Sequence, residues 1–568
     1  MEHQEGKSLR LWPGVGIVGV MLAGRFGLKW AIPGFDGFSM GMLSTIGCVG
    51  IFLIWWLFFS RARWSERFGF FAFMIAIMAA TFFLNHESMG PLWIIGYGIP
   101  LLCVVFIVSA VALRNLPNSR RRLGIGAAIL LSSTVWTMVR TEGIDGDHVS
   151  DFSWRWSETV EHSLERDADT FFNKQNDVAM NTDLSDEWSG FRGADRRGSV
   201  TGIEVAINWN EKPPVELWRR KVGPGWSSFA VGAHRLYTQE QRGELEVVSC
   251  YNIETGEPIW RHHDKTRFFE SNGGAGPRST PTLQGEFVFA LGATGVLNAL
   301  NAADGSVKWS RDAAEDTNME IPTWGLSGSP LVVDDLVIVG VSGALIAYKS
   351  SSGDIHWKGP SAGESYSSPH RVSIAGTDQI LFMNKNGLVS VTPSTGVTLW
   401  QHLWEGFPIV QPALTDDGDM IVSVSQKKGV RRISASVDIK TQEWSITEKW
   451  TTTKMKPYFN DYVVHKGYIF GFDGRTLACL DENNGERLWK GGRYGNGQLL
   501  LLPDQDLLLV LSERGDLVLV EAKPEMHKEL SKVKVLSGKT WNHPVLVGER
   551  LIARNATEMA AFQIPKKL

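Results

Sequence analysis

The chain has 568 residues, enough for more than one domain, with a formal charge of −4 and a mean hydropathy of −0.08. That net charge argues against a nucleic-acid surface. The apolar excess sits in the first 140 residues, so the two ends of the chain belong to different solvents.

Five apolar stretches occupy that first part, at about 11–31, 38–60, 68–84, 91–113 and 123–139, each near the ~20 residues that cross a hydrocarbon core. Arg25 and Lys29 interrupt the first, for which a cleavable export signal is the alternative; the four stretches after it are not explained that way. The loop after the second stretch carries Arg61, Arg63 and Arg67, and the loop after the fourth carries Arg114, Arg120, Arg121 and Arg122. Residues 85–90 carry neither Lys nor Arg. Excess positive charge marks the cytoplasmic side, which puts the N-terminus, with Lys7 and Arg10, inside. Only Arg25 and Lys29 run against this. Five crossings then deliver everything after Arg140 to the outer face.

Residues 141–187 read as an extracytoplasmic linker. Phe152, Trp154 and Trp156 fall just beyond the fifth stretch, where amphipathic rings favour the membrane interface. The polar run 157–181 is open between a short helix and a flexible stalk. Of four cysteines, Cys48 and Cys103 lie in apolar stretches, while Cys250 and Cys479 each precede a repeat Trp by ten residues and read as small buried hydrophobes, with no disulfide expected.

From 188 onward a turn Gly is followed four residues later by Trp: Gly256/Trp260, Gly305/Trp309, Gly353/Trp357, Gly396/Trp400 and Gly485/Trp489. The Trp intervals are 49, 48, 43 and 89, the last being two strides with one degenerate copy between. Short β-rich runs joined by Asp/Asn/Ser-Gly turns fill each unit. A period in the forties built this way predicts propeller blades. Unit starts at Trp218, Trp260, Trp309, Trp357, Trp400, Trp450, Trp489 and near Val535 give eight. The last unit lacks an outer strand, and the segment around 205–209 is expected to supply it, closing the ring. The expected fold is an all-β eight-bladed propeller over 188–568, preceded by an all-α domain of five transmembrane helices over 1–140. The repeat tryptophans are expected to pack blade against blade.

In each unit the crossing to the innermost strand falls at one place, so eight loops should converge on one mouth. Ser and Thr before Pro are ordinary turn residues there. Trp226, Arg278, Trp324, Tyr458, Asn460, Asp461, Trp541, Asn542 and His543 are larger or ionisable and make the candidate ligand-binding set: an Arg fork for carboxylate, aromatics for stacking, amides for orientation. The Gly-rich loop 267–278 adjoins them and brings Glu270 and Asn272.

Units of this form resemble the pyrroloquinoline-quinone (PQQ) repeat propellers. The resemblance covers roughly 188–564 and includes Trp188-Ser189-Gly190-Phe191-Arg192-Gly193, similar to the lead-in of bacterial envelope members. The family holds quinoprotein alcohol and sugar dehydrogenases beside non-catalytic outer-membrane assembly scaffolds, so the fold leaves the function open. A five-span anchor resembles that of the membrane-bound glucose dehydrogenase. The compact units, with no Cys-Cys pair and no Cys-x-x-Cys-His, depart from the enzymes. The dehydrogenase reading implies PQQ with calcium, oxygen ligands from Glu270, Asn272, Asn460 or Asp461, and Asp461 or Glu270 as base, with His543 a weaker alternative. The leading expectation is a binding or scaffolding propeller on the bacterial cytoplasmic membrane, displayed in the periplasm. It would hold an envelope protein or a small polar ligand at the channel mouth.

Overall fold

The computed structural model describes residues 10–32, 35–146, 149–164, 188–425 and 427–567. Lys7 and most of the run 157–181 lie outside the described residues. Two compact units are present, Met1–Ser157 with Glu270–Gly274, and Glu158–Phe269 with Ala275–Leu568.

The first unit is helical. Trp12–Leu22 continues through a π turn, Ala23–Gly27, into Leu28–Ala31. Phe35–Ile54 runs into a second π turn at Trp55–Phe59, and Trp64–Leu84 follows. Pro91–Trp93 passes through a third π turn, Ile94–Gly98, into Ile99–Ala112, and Asn118–Thr137 completes the set. Pro91 stands in a first turn and Pro117 just ahead of one, where a missing N–H costs nothing. Gly37–Phe59, Trp64–Leu84 and Ile94–Ala112 are long and apolar enough to cross a membrane. They pack through aromatics: Phe106 meets Phe52, Trp56 and Phe70 edge-on at 5.9, 4.7 and 5.7 Å. At one end the buried Glu66 carboxylate accepts from Arg122 Nε (2.7 Å) and faces Arg121 (3.9 Å), which brings the two Arg-rich loops together. Elsewhere Ser88 Oγ accepts the N–H of Thr141 (3.0 Å), joining the cation-free loop to the hairpin Val139–Ile144/Ser150–Trp154. Phe152 packs on Trp93, Tyr97 and Trp136, while Trp154 and Trp156 stack in the open.

The second unit is an eight-bladed propeller of four-stranded antiparallel sheets. Seven blades follow in order from Ala230–Gly232 to Glu529–Lys534. The eighth takes Val545–Val547, Arg550–Arg554 and Glu558–Gln563 from the C-terminus and Val215–Lys221 from before the first blade. The closing strand is therefore not 205–209, as expected from the sequence, but the strand that carries Trp218. Val205 makes only an isolated bridge with Lys566. The reason is register: Trp218 lies opposite Ala561 as Trp260 lies opposite Cys250, so the repeat position fixes which strand pairs.

The Gly–Trp cadence has a direct physical basis. The indole N–H of five of the Trp residues reaches a carbonyl of the next blade three residues before that blade's Gly, and Trp489 donates likewise to Lys523 (2.7 Å), where Met526 stands in place of the Gly. Trp218 donates to Ile253, Trp260 to Ala302, Trp309 to Ser350, Trp357 to Pro393 and Trp450 to Glu482, at 2.8–3.0 Å. The Gly then lies under the ring: a Cβ on Gly256, Gly305, Gly353, Gly396 or Gly485 would fall 2.5–2.7 Å from the preceding blade's indole. All five have φ between +67° and +75°. The degenerate copy is the fifth blade, where Gln442 takes the turn at φ +59° and Trp400 bonds instead to Gln379 Oε1 (2.8 Å). The seventh blade carries Ser531 in the Trp register, and Trp209, ahead of the closing strand, is buried there with its backbone N–H on Ser531 Oγ (3.0 Å) and its indole N–H on the carbonyl of Ala206 (2.9 Å).

Candidate functional site

The loops entering the innermost strands build two layers around the axis. The lower is a chain of hydrogen bonds from blade to blade. The N–H of Ser228 donates to Thr280 Oγ1, that of Thr280 to Ser329 Oγ, and that of Ser329 to Ser368 Oγ. The N–H of Ser368 donates to Gln411 Oε1 and that of Gln411 to Asp461 Oδ1, all at 2.7–3.0 Å. Ser228 Oγ donates back to the carbonyl of His543 (2.7 Å) on the eighth blade. The small hydroxyls thus satisfy backbone donors that burial would otherwise strand.

Across the axis runs the chain's own lead-in, from Trp188 to Val200. Trp188 exchanges backbone bonds with Val231, Leu283 N–H donates to Ser189, and Val200 and Gly198 pair with Leu501. Arg196 donates to the carbonyls of Ser329 (3.2 Å), Pro330 and Pro369 (2.8 Å). Arg192 donates to the carbonyls of Arg197 and Tyr462 (3.0 Å each) and stands 3.8 Å from Asp461 Oδ2. Both arginines are buried, and burial lowers the Arg196 pKa to about 9. Burial likewise pushes His370 down to about 3, helped by Arg196, and His543 well below its usual value, helped by Arg192.

Asp461 is therefore enclosed: burial raises its pKa, opposed by Arg192 and by the Gln411 N–H, and His543 Nε2 lies 3.6 Å away. His543 packs edge-on against Phe191 at 5.0 Å. Asn460 Oδ1 accepts from Tyr458 N–H, and Asn542 Nδ2 donates to the carbonyls of Gly225 and Ser227. Asn460 Nδ2, Asn542 Oδ1, His543 Nδ1 and Gln498 Oε1 are buried without a partner among the described residues.

The upper layer is aromatic. Trp226 meets Trp541 at 4.8 Å, Trp541 meets Phe459 at 5.0 Å, and Phe459 meets Tyr458 at 5.1 Å. Tyr458 on the sixth blade then reaches Trp324, ahead of the third, at 6.0 Å, and Trp324 joins Tyr366 (5.0 Å) and Phe407 (5.4 Å). All but Tyr366 are half-buried, so the arc presents ring surface. Trp541 is fixed by its N–H on buried Glu513 (2.8 Å), and the Lys539 ammonium lies over Trp541 and Trp226 at 4.7 and 5.1 Å.

The structure thus brings Trp226, Trp324, Tyr458 and Trp541 into one arc and Asn460, Asp461, Asn542 and His543 into the layer beneath. Arg278 bonds to the carbonyls of Ala275 and Gly276 and lies over Phe268 at 5.1 Å. Glu270 and Asn272 group with the first unit, where the Glu270 carboxylate accepts from the N–H groups of Asn272 (2.7 Å) and Gly273. Among the described residues no three His, Cys, Asp or Glu side chains come together to hold a metal. Phe459, Tyr366 and Phe407 were missed, as were the axial roles of Arg192 and Arg196. A signal for two of them was present: Trp226-x-Ser228, Tyr366-x-Ser368, Phe459-x-Asp461 and Trp541-x-His543 place an aromatic two residues before the lower-layer position.

Beside the mouth, Glu246 is buried with Oε1 on the N–H of Ala293 (3.2 Å) and Oε2 unpartnered among the described residues. Burial raises its pKa from 4.5 to about 7, with Asp264 adding and Ala293 and Arg278 opposing. The stabilisation is complete below pH 4.5 and is lost as pH rises through 7, by about 3 kcal/mol at ~1.4 kcal/mol per unit. Glu246→Gln is expected to abolish this loss, so that its melting temperature exceeds the wild type at pH 8 but not at pH 4.5, as thermal denaturation at both pH values would show.

An eight-bladed propeller with an axis filled by its own lead-in and an aromatic mouth defines the class structurally. Residues 214–443 match the family model described as outer membrane protein assembly factor BamB, so this part of the propeller is similar to that family. The outer membrane protein assembly factor BamB of Yersinia pestis is 24% identical over 357 residues, 58% of this chain and 76% of that one. That of Shewanella oneidensis is 23% identical over 384 residues, 62% and 89%. The quinohemoprotein alcohol dehydrogenase of Comamonas testosteroni superposes with a TM-score of 0.50 at 13% identity, over 72% of this chain and 84% of that one, a likeness of fold alone.

Proposed function

We infer that the chain is a scaffold of the bacterial envelope: a propeller tethered to the cytoplasmic membrane by five crossings, N-terminus inside, that binds an envelope protein through its aromatic mouth. The observation that carries this is the half-exposed aromatic arc, which meets across the axis between Trp324 and Tyr458. Rigid aromatic rings with a polar rim are what protein interfaces use as anchors. The names of the two BamB relatives support an envelope partner. The Glu66–Arg122 pair, which gathers the Arg-rich loops at one end, supports the orientation.

PQQ fits the axis poorly. The axis is crossed by Arg192 and Arg196, and the Asp461 carboxylate is committed to Gln411 and faces Arg192. A titration of the full chain with PQQ and calcium, followed by visible absorbance, is expected to show no saturable change; saturation at micromolar PQQ would restore the dehydrogenase reading. Trp324→Ala is expected to weaken partner capture about 30-fold, equivalent to ~2 kcal/mol for one anchor, while the propeller stays folded at the assay temperature. Affinity co-purification against wild type, with melting as control, checks it.

A further inference from the structure

The end of the helical unit where its two Arg-rich loops meet carries more positive charge than the fold uses. Residues 10–14, 57–67 and 113–123 hold eight arginines and one acid, Glu66. Contacts gather these three segments. The N–H of Arg10 donates to the carbonyl of Ser60 (3.2 Å), and Glu66 accepts from Arg122 Nε (2.7 Å) and faces Arg121 (3.9 Å). Arg67 is turned inward, onto the carbonyl of Ala62 (2.8 Å) and over the Trp64 ring at 4.7 Å. Arg10, Arg61, Arg63, Arg114 and Arg120 are exposed, and among the described residues none of them pairs with a carboxylate.

Folding does not account for this placement. Arg120, Arg121 and Arg122 are the third to fifth residues of Asn118–Thr137, whose first turn has no acidic residue, and Arg63 is the N-cap of Trp64–Leu84. Helix N-termini carry partial positive charge, so these cations work against the dipoles. The surroundings are apolar: Trp64, Phe68, Leu116 and Leu123 are exposed here, and Trp64 stacks on Phe68 at 5.6 Å. Cations beside exposed rings and aliphatic chains, at the ends of membrane-length helices, match the layer where lipid phosphates meet acyl chains. About 30 Å away, at 1.5 Å per residue, the other ends of the same two helices lack such a cluster. Arg155 lies there, held on the carbonyls of Leu84 (3.4 Å) and Thr137 (3.0 Å), and residues 85–90 carry no Lys or Arg.

We propose that this Arg-rich end is a binding surface for the phosphodiester headgroups of anionic lipids. It depends on the membrane crossings but not on what the propeller's mouth binds. The full-length chain is reconstituted into nanodiscs of dioleoyl phosphatidylcholine. Association of spin-labelled phosphatidylglycerol is then compared with that of spin-labelled phosphatidylcholine by electron paramagnetic resonance. Wild type is expected to prefer phosphatidylglycerol at least about fivefold, the equivalent of one arginine contact at ~1 kcal/mol, and to lose the preference at ~1 M salt. Joint substitution Arg63→Gln, Arg114→Gln and Arg120→Gln is expected to bring the ratio close to one. The same three positions changed to Lys keep it, and Arg155→Gln leaves it unchanged. Equal association of the two lipids with wild type, or a preference that survives the triple Gln substitution, overturns the proposal. Displacement of phosphatidylglycerol by sodium phosphate, where sodium chloride of equal ionic strength has no effect, assigns the arginines to a free anion and overturns it too. A chain that does not enter neutral discs overturns the crossings and this proposal together; entry without lipid preference overturns this proposal alone. Should the triple variant fail to reconstitute, Arg120→Gln decides, and a ratio equal to wild type there overturns it.

Discussion

Gly305→Ala is expected to destabilise the propeller by about 2–5 kcal/mol. The residue sits at φ +74°, where an L side chain costs roughly 1–2 kcal/mol. Its Cβ would also fall 2.5 Å from the Trp260 ring, and overpacking of that kind costs about 1–3 kcal/mol more. Trp260 cannot withdraw without breaking its bond to the carbonyl of Ala302, 3.0 Å away. The fifth blade supplies an internal control. Gln442 already occupies the corresponding turn, and Trp400 is turned to Gln379 instead. Gln442→Gly is therefore expected to change stability by no more than ~1 kcal/mol. Urea denaturation followed by tryptophan fluorescence would measure both, and equal effects would contradict the packing account.

Arg196→Met should cost about 3–5 kcal/mol. Three carbonyls, of Ser329, Pro330 and Pro369, share this guanidinium, and each buried acceptor left unmade costs roughly 1–3 kcal/mol. Release of the buried charge returns part of that, since burial already lowers the Arg196 pKa to about 9. The substitution should also free the segment around it, so hydrogen exchange at Gly198 and Val200, which pair with Leu501, is expected to accelerate. Unchanged exchange there would mean that the lead-in is held by its backbone pairing alone.

The legible and illegible parts of the sequence divide along one line. The Gly–Trp stride reported contacts between neighbouring blades, and local spacing encodes those directly, so blade number and the tryptophans' packing could be read. Closure could not be placed, because 205–209 and 215–221 differ only in register with a strand more than 300 residues away. At the mouth, size alone gave Trp226 and Trp541 their prominence, and the aromatic-x-polar pattern they share with Tyr366 and Phe459 went unread. Phe407 lies four residues before Gln411, off the pattern, and only the folded loop brings it to Trp324. Arg192 and Arg196 read as part of a lead-in motif. Nothing local shows that an arginine's acceptors will be carbonyls on two other blades.

The aromatic mouth as a partner-binding face is tested most directly by site-specific photocrosslinking in cells. A benzoylphenylalanine would be placed at Phe407 or Trp324 in the arc, and at Val397 or Ile439 on the outer rim, both exposed. The arc positions are expected to give a discrete adduct with an envelope protein, diminished by Trp541→Ala, while the rim positions give none. Adducts from the rim alone, or arc adducts indifferent to Trp541, would contradict the assignment.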